Sequence, residues 1–278
     1  MMQFYIDDLI KTALLEDVNY IDTTADYLLD DQRSTGRFLA KADGVLCGLD
    51  VAERVFNLLD PDVTFIKLKK DGDRLHKGEV FATVTGKTAV LLKGERTALN
   101  LLQHMSGVAT ATAQAVDLVK GTKAMITDTR KTLPGLRPLQ KYAVVCGGGR
   151  NHRFNLSDGA MLKDNHIDAA GGIAPAVERL RGKLGHMVKL EVETRNLDEV
   201  AEALAAGADV IMLDNMDCDT MRRAVEMTAG RALLEASGGI TADSLRQVAE
   251  TGVDIISIGA LTHSVTAFDI SMKIKPEA

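Results

Sequence analysis

The chain has little cysteine, little proline and no long apolar run, and each shortage closes a class of answers. Its three cysteines, Cys47, Cys146 and Cys218, are odd in number, widely spaced and without a CxxC pair. That pattern excludes a disulfide framework and fits inert, reduced thiols in a cytoplasmic protein. No cysteine or second histidine stands at metal-ligand spacing from His104 or His166, so no zinc centre is expected. Five prolines, with 46% hydrophobic and 26% charged residues, describe a compact chain and not a disordered one. The amino-terminal MMQFYIDDLIKTALLEDV mixes apolar with acidic groups, so neither a signal peptide nor a membrane span is expected. Walker, GxGxxG and GxSxG signatures are missing as well.

Against this background one stretch stands out. Between Asp128 and Asp158 the chain carries Arg130, Lys131, Arg137, Lys141, Arg150 and Arg153 and no acidic residue, although its formal net charge is -6. A local cationic patch on an acidic chain suits a small polyanion bearing carboxylates or phosphates better than nucleic acid. Arginine forks bind carboxylates bidentately and lysine supplies a point charge, so Arg130, Arg153, Lys131 and Lys163 together suit a ligand with both groups. Arg137, Lys141 and Arg150 are read as surface charges without a direct role.

The organisation changes near residue 105. Before it the pattern is α+β: a helix over Phe4–Leu15, a strand over Gly36–Ala42, a helix over Leu49–Leu59, a strand over Val63–Lys69, and a hairpin of Val80–Val84 with Thr88–Leu92 about Gly86. After it, six strand candidates alternate with helices: Ala124–Thr129, Ala160–Lys163, Met187–Glu193, Val210–Asp214, Ala232–Ala236 and Asp254–Ile258. Successive strands should be parallel, giving an α/β barrel with fewer than eight strands, or an open doubly wound sheet. The domains are expected at 1–104 (amino-terminal α/β sandwich), 105–264 (barrel) and 265–278, the last packing on the amino-terminal domain.

Chemistry in parallel α/β folds gathers at the carboxyl ends of strands, and here those ends are charged. Asp128 and Arg130, Lys163 to His166, Glu191 with Glu193, Asp214, and Glu235 with Ser237 all sit there. Alternation puts Lys189, Glu191 and Glu193 on one face of their strand, where interior charges need partners or a ligand. Ser237-Gly238-Gly239 and Gly259-Ala260 follow late strands and precede helices, which suits a phosphate cradle.

Thr129-Arg130-Lys131-Thr132, Pro134-Gly135-Leu136-Arg137, Gly147-Gly148-Gly149, Asn151-His152-Arg153, Lys163-Asp164-Asn165-His166, Leu213-Asp214-Asn215 and Glu235-Ala236-Ser237-Gly238-Gly239-Ile240 together resemble the quinolinate phosphoribosyltransferases, nearly end to end. The resemblance implies an amino-terminal α/β sandwich with an open six-stranded α/β barrel. It also implies transfer of phosphoribosyl from 5-phosphoribosyl 1-pyrophosphate to quinolinate, with loss of carbon dioxide, to give nicotinate mononucleotide for NAD synthesis. Magnesium would be required, and a homodimer would share its active sites, leaving open assembly into hexamers. No nucleic acid or membrane partner is implied.

Residue by residue, the resemblance assigns Arg130, His152 and Arg153, with Arg96 from the partner subunit, to the quinolinate carboxylates. Lys131 and Lys163 would lie between substrate and pyrophosphate, and Asn165 and His166 would line the same site. Glu191 and Asp214 would meet the ribosyl hydroxyls and metal, and Ser237, Gly238, Gly239, Gly259 and Ala260 the 5-phosphate. Leu133, where the family more often has Thr, and Asn155, where Gly is frequent, depart from the pattern and bear on fine geometry. The alternatives are a ModD-like paralogue with a different acceptor, against which the Lys163–His166 run argues, and a lipoyl-type carrier built on Asp71–Leu92 with Lys87 as the modified residue.

Overall fold

The computed structural model describes residues 3–276, whose contacts divide into two units: residues up to Ala113 with Leu133–Gly148 and those from Thr262 on, and Gln114–Thr132 with Gly149–Leu261. The first part of the chain forms α1 (Gln3–Asp17), α2 (Ala25–Leu28), β1 (Arg33–Ala40), β2 (Gly44–Val45), α3 (Leu49–Leu59), β3 (Thr64–Lys67), β4 (Arg74–Leu75), β5 (Val80–Lys87) and α4 (Thr88–Leu118). The remainder forms β6 (Met125–Thr127), α5 (Arg137–Cys146), β7 (Ala160–Leu162), α6 (Asp164–Ala170), α7 (Ile173–Arg181), β8 (Leu190–Thr194) and α8 (Leu197–Ala205). It ends with β9 (Val210–Asp214), α9 (Cys218–Thr228), β10 (Leu233–Ser237), α10 (Ala242–Ala249), β11 (Ile255–Ser257), α11 (Ala260–His263) and β12 (Ile270–Pro276). Among the described residues no helix is long and apolar enough to cross a membrane.

In the first unit, strict alternation along β1 buries Ser34, Gly36, Phe38 and Ala40, and the strand pairs antiparallel with β12 on one side and β5 on the other. Phe38 packs within 5.6–6.3 Å, centroid to centroid, of Phe56, Phe65 and Phe81, so β1, α3, β3 and β5 meet in one aromatic cluster. Such tilted pairs add about 1 kcal/mol each beyond the area they bury. Asp71 caps α3 from a distant turn, its carboxylate accepting the backbone N–H groups of Gly48 at 3.0 Å and Leu49 at 3.1 Å. These are two of the donors that a helix start leaves without intrahelical partners.

Three expectations are corrected here. The hairpin about Gly86 does not form: β5 runs unbroken to Lys87 and α4 begins at Thr88. Gly86 is needed for space and not for a turn, because an added Cβ would lie 2.9 Å from Val63 Cγ2. With no hairpin tip to present it, Lys87 donates to Asp31 at 2.9 Å, which removes the basis of the carrier reading. Lys141 is 1% exposed and no surface charge, since α5 buries Leu139, Gln140, Lys141, Ala143 and Val144. Lastly, α5 falls in the barrel half by sequence, yet Leu133–Gly148 belongs to the first unit, whose core takes in Leu139, Ala143 and Val144.

Cys47 and Cys146, ninety-nine positions apart in the chain, come together beside Asp71, the three ligand atoms lying within 4.8 Å of one another. A hydrogen bond to Cys146, together with burial, pushes the Cys47 thiol up, and the same bond pulls the Cys146 thiol down.

The second unit is a six-stranded parallel sheet in the order β6-β11-β10-β9-β8-β7. Counted along the chain from β6, that order is first, sixth, fifth, fourth, third, second. A doubly wound sheet reverses direction at a switch point, whereas this order runs round once, so the sheet is a barrel left open between β6 and β7. The edge of β6 is not bare. Arg150 donates its N–H to Ile126 O at 2.9 Å and accepts from Asp128 N–H at 3.2 Å, laying the Gly149–Arg153 segment parallel to β6.

Replacing Asp71 by Ala should cost about 1–2 kcal/mol, the upper half of the range for losing a helix cap. Urea unfolding checks this, and the transition should shift without a change of slope.

Candidate active site

Residues at or near the carboxyl ends of the barrel strands share a common mouth. Asp128 to Lys131 follow β6, Lys163 follows β7, and Glu193, Asp214, Ser237 and Ser257 stand at or beside the ends of β8, β9, β10 and β11. A cavity of about 280 Å³ opens there. Arg130, Lys131, Arg153 and Lys163 line it with Glu193, Asp214 and Glu235, and Thr129, His152 and Ser237 complete its polar wall. Besides Glu191, seven of the residues singled out as site members from the sequence lie outside this strand-end set. Asn165 and His166 are exposed on α6, and His166 Nδ1 turns back to accept Lys163 N–H at 3.1 Å; neither lines the cavity. Gly238, Gly239, Gly259 and Ala260 are likewise not part of its lining. Arg96 is exposed on α4 in the first unit.

Two guanidinium groups set the electrostatics. Burial, with the like charge of Arg130 beside it, holds the Arg153 guanidinium below its ordinary value, and Arg153 Nη1 donates to Gly159 O at 2.9 Å. Two cations held together out of water make a site for an anion. At the mouth Lys163 Nζ lies 2.9 Å from Glu193 Oε2, and Asp214 Oδ2 accepts from Asn215 Nδ2 at 2.9 Å. The turn after β10 is locked to the same strand end. Asn215 N–H donates to Ser237 O at 2.9 Å, and Gly238, at φ +92°, lies so close that an added Cβ would stand 2.3 Å from Asn215 Oδ1. Glycine is required there twice over, for its backbone conformation and for the missing side chain.

Glu191 does not lie with the other strand-end acids. Lys189, Glu191 and Glu193 do share the interior face, but β8 starts three residues later than expected and its alternate residues stand about 6.6 Å apart along the strand. Only Glu193 reaches the mouth with Asp214, while Glu191 lies one layer down in a second cavity, of about 460 Å³, at the strand starts. His152, Arg153 and Glu235 line both spaces and form the layer between them. In that layer His152 Nε2 is 3.0 Å from Glu191 Oε2 and 3.6 Å from Glu235 Oε1. His152 N–H donates to Asp128 Oδ1 at 2.8 Å, and Arg153 N–H donates to His152 Nδ1 at 2.8 Å. Burial first, and the Glu191 charge second, push the Glu235 carboxyl up to about 7. Strand alternation put Lys189, Glu191 and Glu193 on one face, and their height along the strand, which alternation does not fix, places Glu193 and not Glu191 at the mouth.

Models of the quinolinate phosphoribosyl transferase amino-terminal and carboxyl-terminal domains match residues 22–106 and 108–273. The chain belongs to the quinolinate phosphoribosyl transferase family. It is 48% identical over 274 residues to a probable nicotinate-nucleotide pyrophosphorylase (carboxylating) of Bacillus subtilis, covering 99% of this chain and 95% of that one. A protein of the same description from Synechocystis is 44% identical, covering 97% and 92%. The solved structure of NadC from Streptococcus pyogenes superposes with a TM-score of 0.96 at 43% identity, covering 100% of this chain and 99% of that one.

The raised Glu235 carboxyl has a consequence for stability. An acid whose folded value lies above its ordinary 4.5 contributes stability that is fully present below 4.5 and is lost as pH rises through about 7. Glu235→Gln carries no such titration, so its melting temperature should fall less than that of the wild type between pH 5 and pH 8. Calorimetry at the two pH values checks it.

Proposed function

We propose that this chain transfers the phosphoribosyl group of 5-phosphoribosyl 1-pyrophosphate to quinolinate, releasing pyrophosphate and carbon dioxide and leaving nicotinate mononucleotide for NAD synthesis. The observation that carries the reading is the pair of crowded guanidiniums, Arg130 and Arg153, in a strand-end cavity that also holds two lysines and two mouth carboxylates. Quinolinate is a small dianion and phosphoribosyl pyrophosphate a polyanion with sugar hydroxyls, so each class of group in the cavity has a partner.

Arg130 and Arg153 take the quinolinate carboxylates and aim the pyridine nitrogen at the anomeric carbon. The nitrogen lone pair forms the new bond as the carbon–oxygen bond to pyrophosphate breaks, and Lys131 and Lys163 stabilise the departing charge. Glu193 and Asp214 meet the ribosyl hydroxyls. Their hard carboxylate oxygens also suit a magnesium ion coordinated mainly by phosphates, which when bound would neutralise charge on the pyrophosphate. The ring nitrogen, now cationic, draws the electron pair released at C2 as carbon dioxide leaves, and a proton replaces it. A water-poor cavity favours that loss, because the starting carboxylate is poorly solvated. The Ser237–Gly239 and Gly259–Ala260 turns take the 5-phosphate through backbone N–H groups. Reduced thiols fit a cytoplasmic setting.

Purified protein with quinolinate, phosphoribosyl pyrophosphate and magnesium should release carbon dioxide and nicotinate mononucleotide; well-folded protein that forms neither product overturns the reading. Arg130→Ala and Arg153→Ala should each weaken quinolinate binding by roughly 2–5 kcal/mol with folding retained, the range for removing one partner of a desolvated charge pair. Titration calorimetry measures this, and unchanged affinity in both variants would return the pair to surface charge.

The active unit is a homodimer in which Arg96 of one copy completes the cavity of the other. Arg96→Ala and Arg130→Ala homodimers should each be nearly inactive. Subunit exchange should restore one complete site per mixed dimer, because both lesions then fall in one cavity. With half the dimers mixed, activity should recover to about a quarter of wild type. Demonstrated exchange without recovery would exclude a shared site.

A further inference from the structure

His152 commits both ring nitrogens inside the protein. Nδ1 accepts the N–H of Arg153 at 2.8 Å and so carries no proton. Nε2 must then be the protonated nitrogen, and it faces Glu191 Oε2 at 3.0 Å as its acceptor. The ring is a neutral imidazole of one tautomer, and its own backbone N–H is held by Asp128 Oδ1 at 2.8 Å. On the far side of Nε2 stands Glu235, 2% exposed, with Oε1 at 3.6 Å. Among the described residues Glu191 Oε1 and Glu235 Oε1 are both buried without a hydrogen-bond partner.

We propose that His152 acts as a positioning residue and not as a carboxylate ligand: Glu191 fixes its tautomer, Asp128 and Glu235 fix its place, and its Nδ1 then fixes the backbone of Arg153. This rests on the quinolinate reading of the cavity. Arg153 is thereby anchored at two points, its N–H on His152 and its guanidinium Nη1 on Gly159 O at 2.9 Å, and the side chain between them lines the cavity. A guanidinium recognises a carboxylate by a fixed planar fork, so its orientation governs affinity as much as its charge does. The same side-chain atoms lie close enough to suggest a buried cation site, with His152, Glu191 and Glu235 offering one atom each within 4.8 Å. The tautomer argues against it. A cation on Nε2 needs the lone pair there, which moves the proton to Nδ1 and sets two donors, Nδ1–H and Arg153 N–H, against each other at 2.8 Å.

The test has an arm that needs no substrate and an arm that does. Histidine labelled with nitrogen-15, assigned among the six by comparison with His152→Asn, should show Nδ1 of the free wild-type protein as an unprotonated, hydrogen-bond-accepting nitrogen and Nε2 as N–H. Saturating quinolinate should leave both resonances in those classes. A ring that is protonated on Nδ1, or that becomes imidazolium when quinolinate binds, overturns the proposal in favour of direct ligation. In steady-state kinetics Glu191→Leu, which leaves Nε2–H buried without an acceptor, should raise KM for quinolinate about tenfold, the cost of one unsatisfied buried donor. Its KM for phosphoribosyl pyrophosphate should stay within about twofold, since the disturbance passes only through Arg153. Glu191→Gln keeps a carbonyl acceptor and should restore most of the quinolinate KM. Equal losses for both substrates, or none, overturn the proposal, and the nitrogen-15 result stands even where Glu191→Leu does not fold. Failure of the wild type to make nicotinate mononucleotide would sink the quinolinate reading instead, and leaves the tautomer measurement intact.

Discussion

Charge placed inside a barrel must be answered inside it. Water is scarce between the strands, and the cost of an uncompensated ion there exceeds that of any single packing fault in the same space. The layer of His152, Glu191, Glu235 and Asp128 is one answer, in which the His152 ring is held among acids and one of those acids, Glu235, is pushed toward its protonated form. Arg130 and Arg153 are the other. Burial and mutual repulsion act on Arg153 together, which leaves the pair stabilised most by an incoming anion. Affinity for a dianion and the internal order of the barrel are therefore two faces of one electrostatic problem.

The backbone around this layer is arranged so that the charges cannot drift. The segment that carries His152 and Arg153 is laid along β6 by two backbone hydrogen bonds, as an added strand would be. Across the mouth, Gly238 packs against Asn215, which in turn bonds Ser237 O and Asp214, so the turn after β10 and the acid at the end of β9 are one rigid piece. A loop fixed in this way presents donors without paying for their ordering when substrate arrives.

In the first unit the comparable role falls to polar side chains that tie distant segments. Gln140 accepts Leu133 N–H at 2.9 Å and donates to Thr262 O at 2.6 Å, with His104 Nε2 at 2.9 Å, so α5, α4 and the carboxyl-terminal segment meet at one buried amide. Asp71, besides capping α3, accepts from Tyr142 at 3.0 Å on α5. These ties account for a helix that lies between two barrel strands in sequence yet packs with the other unit.

The sequence by itself determined the six strands, the parallel order of chain and helix, and the charges at the strand ends, because periodicity and strand-end chemistry are local properties. Val210–Asp214 and Leu49–Leu59 were readable to the residue for that reason. Glu193 was legible only as one of three residues on a face, and the choice between it and Glu191 waited on their height along β8. Tertiary structure alone decided that Gly86 lies within a strand, that Lys141 is buried, and that Cys47 meets Cys146, since each depends on what a remote segment places opposite. It also decided the tautomer of His152, because the proton on a ring is set by the partners of both its nitrogens, and those partners are one residue and thirty-nine residues away.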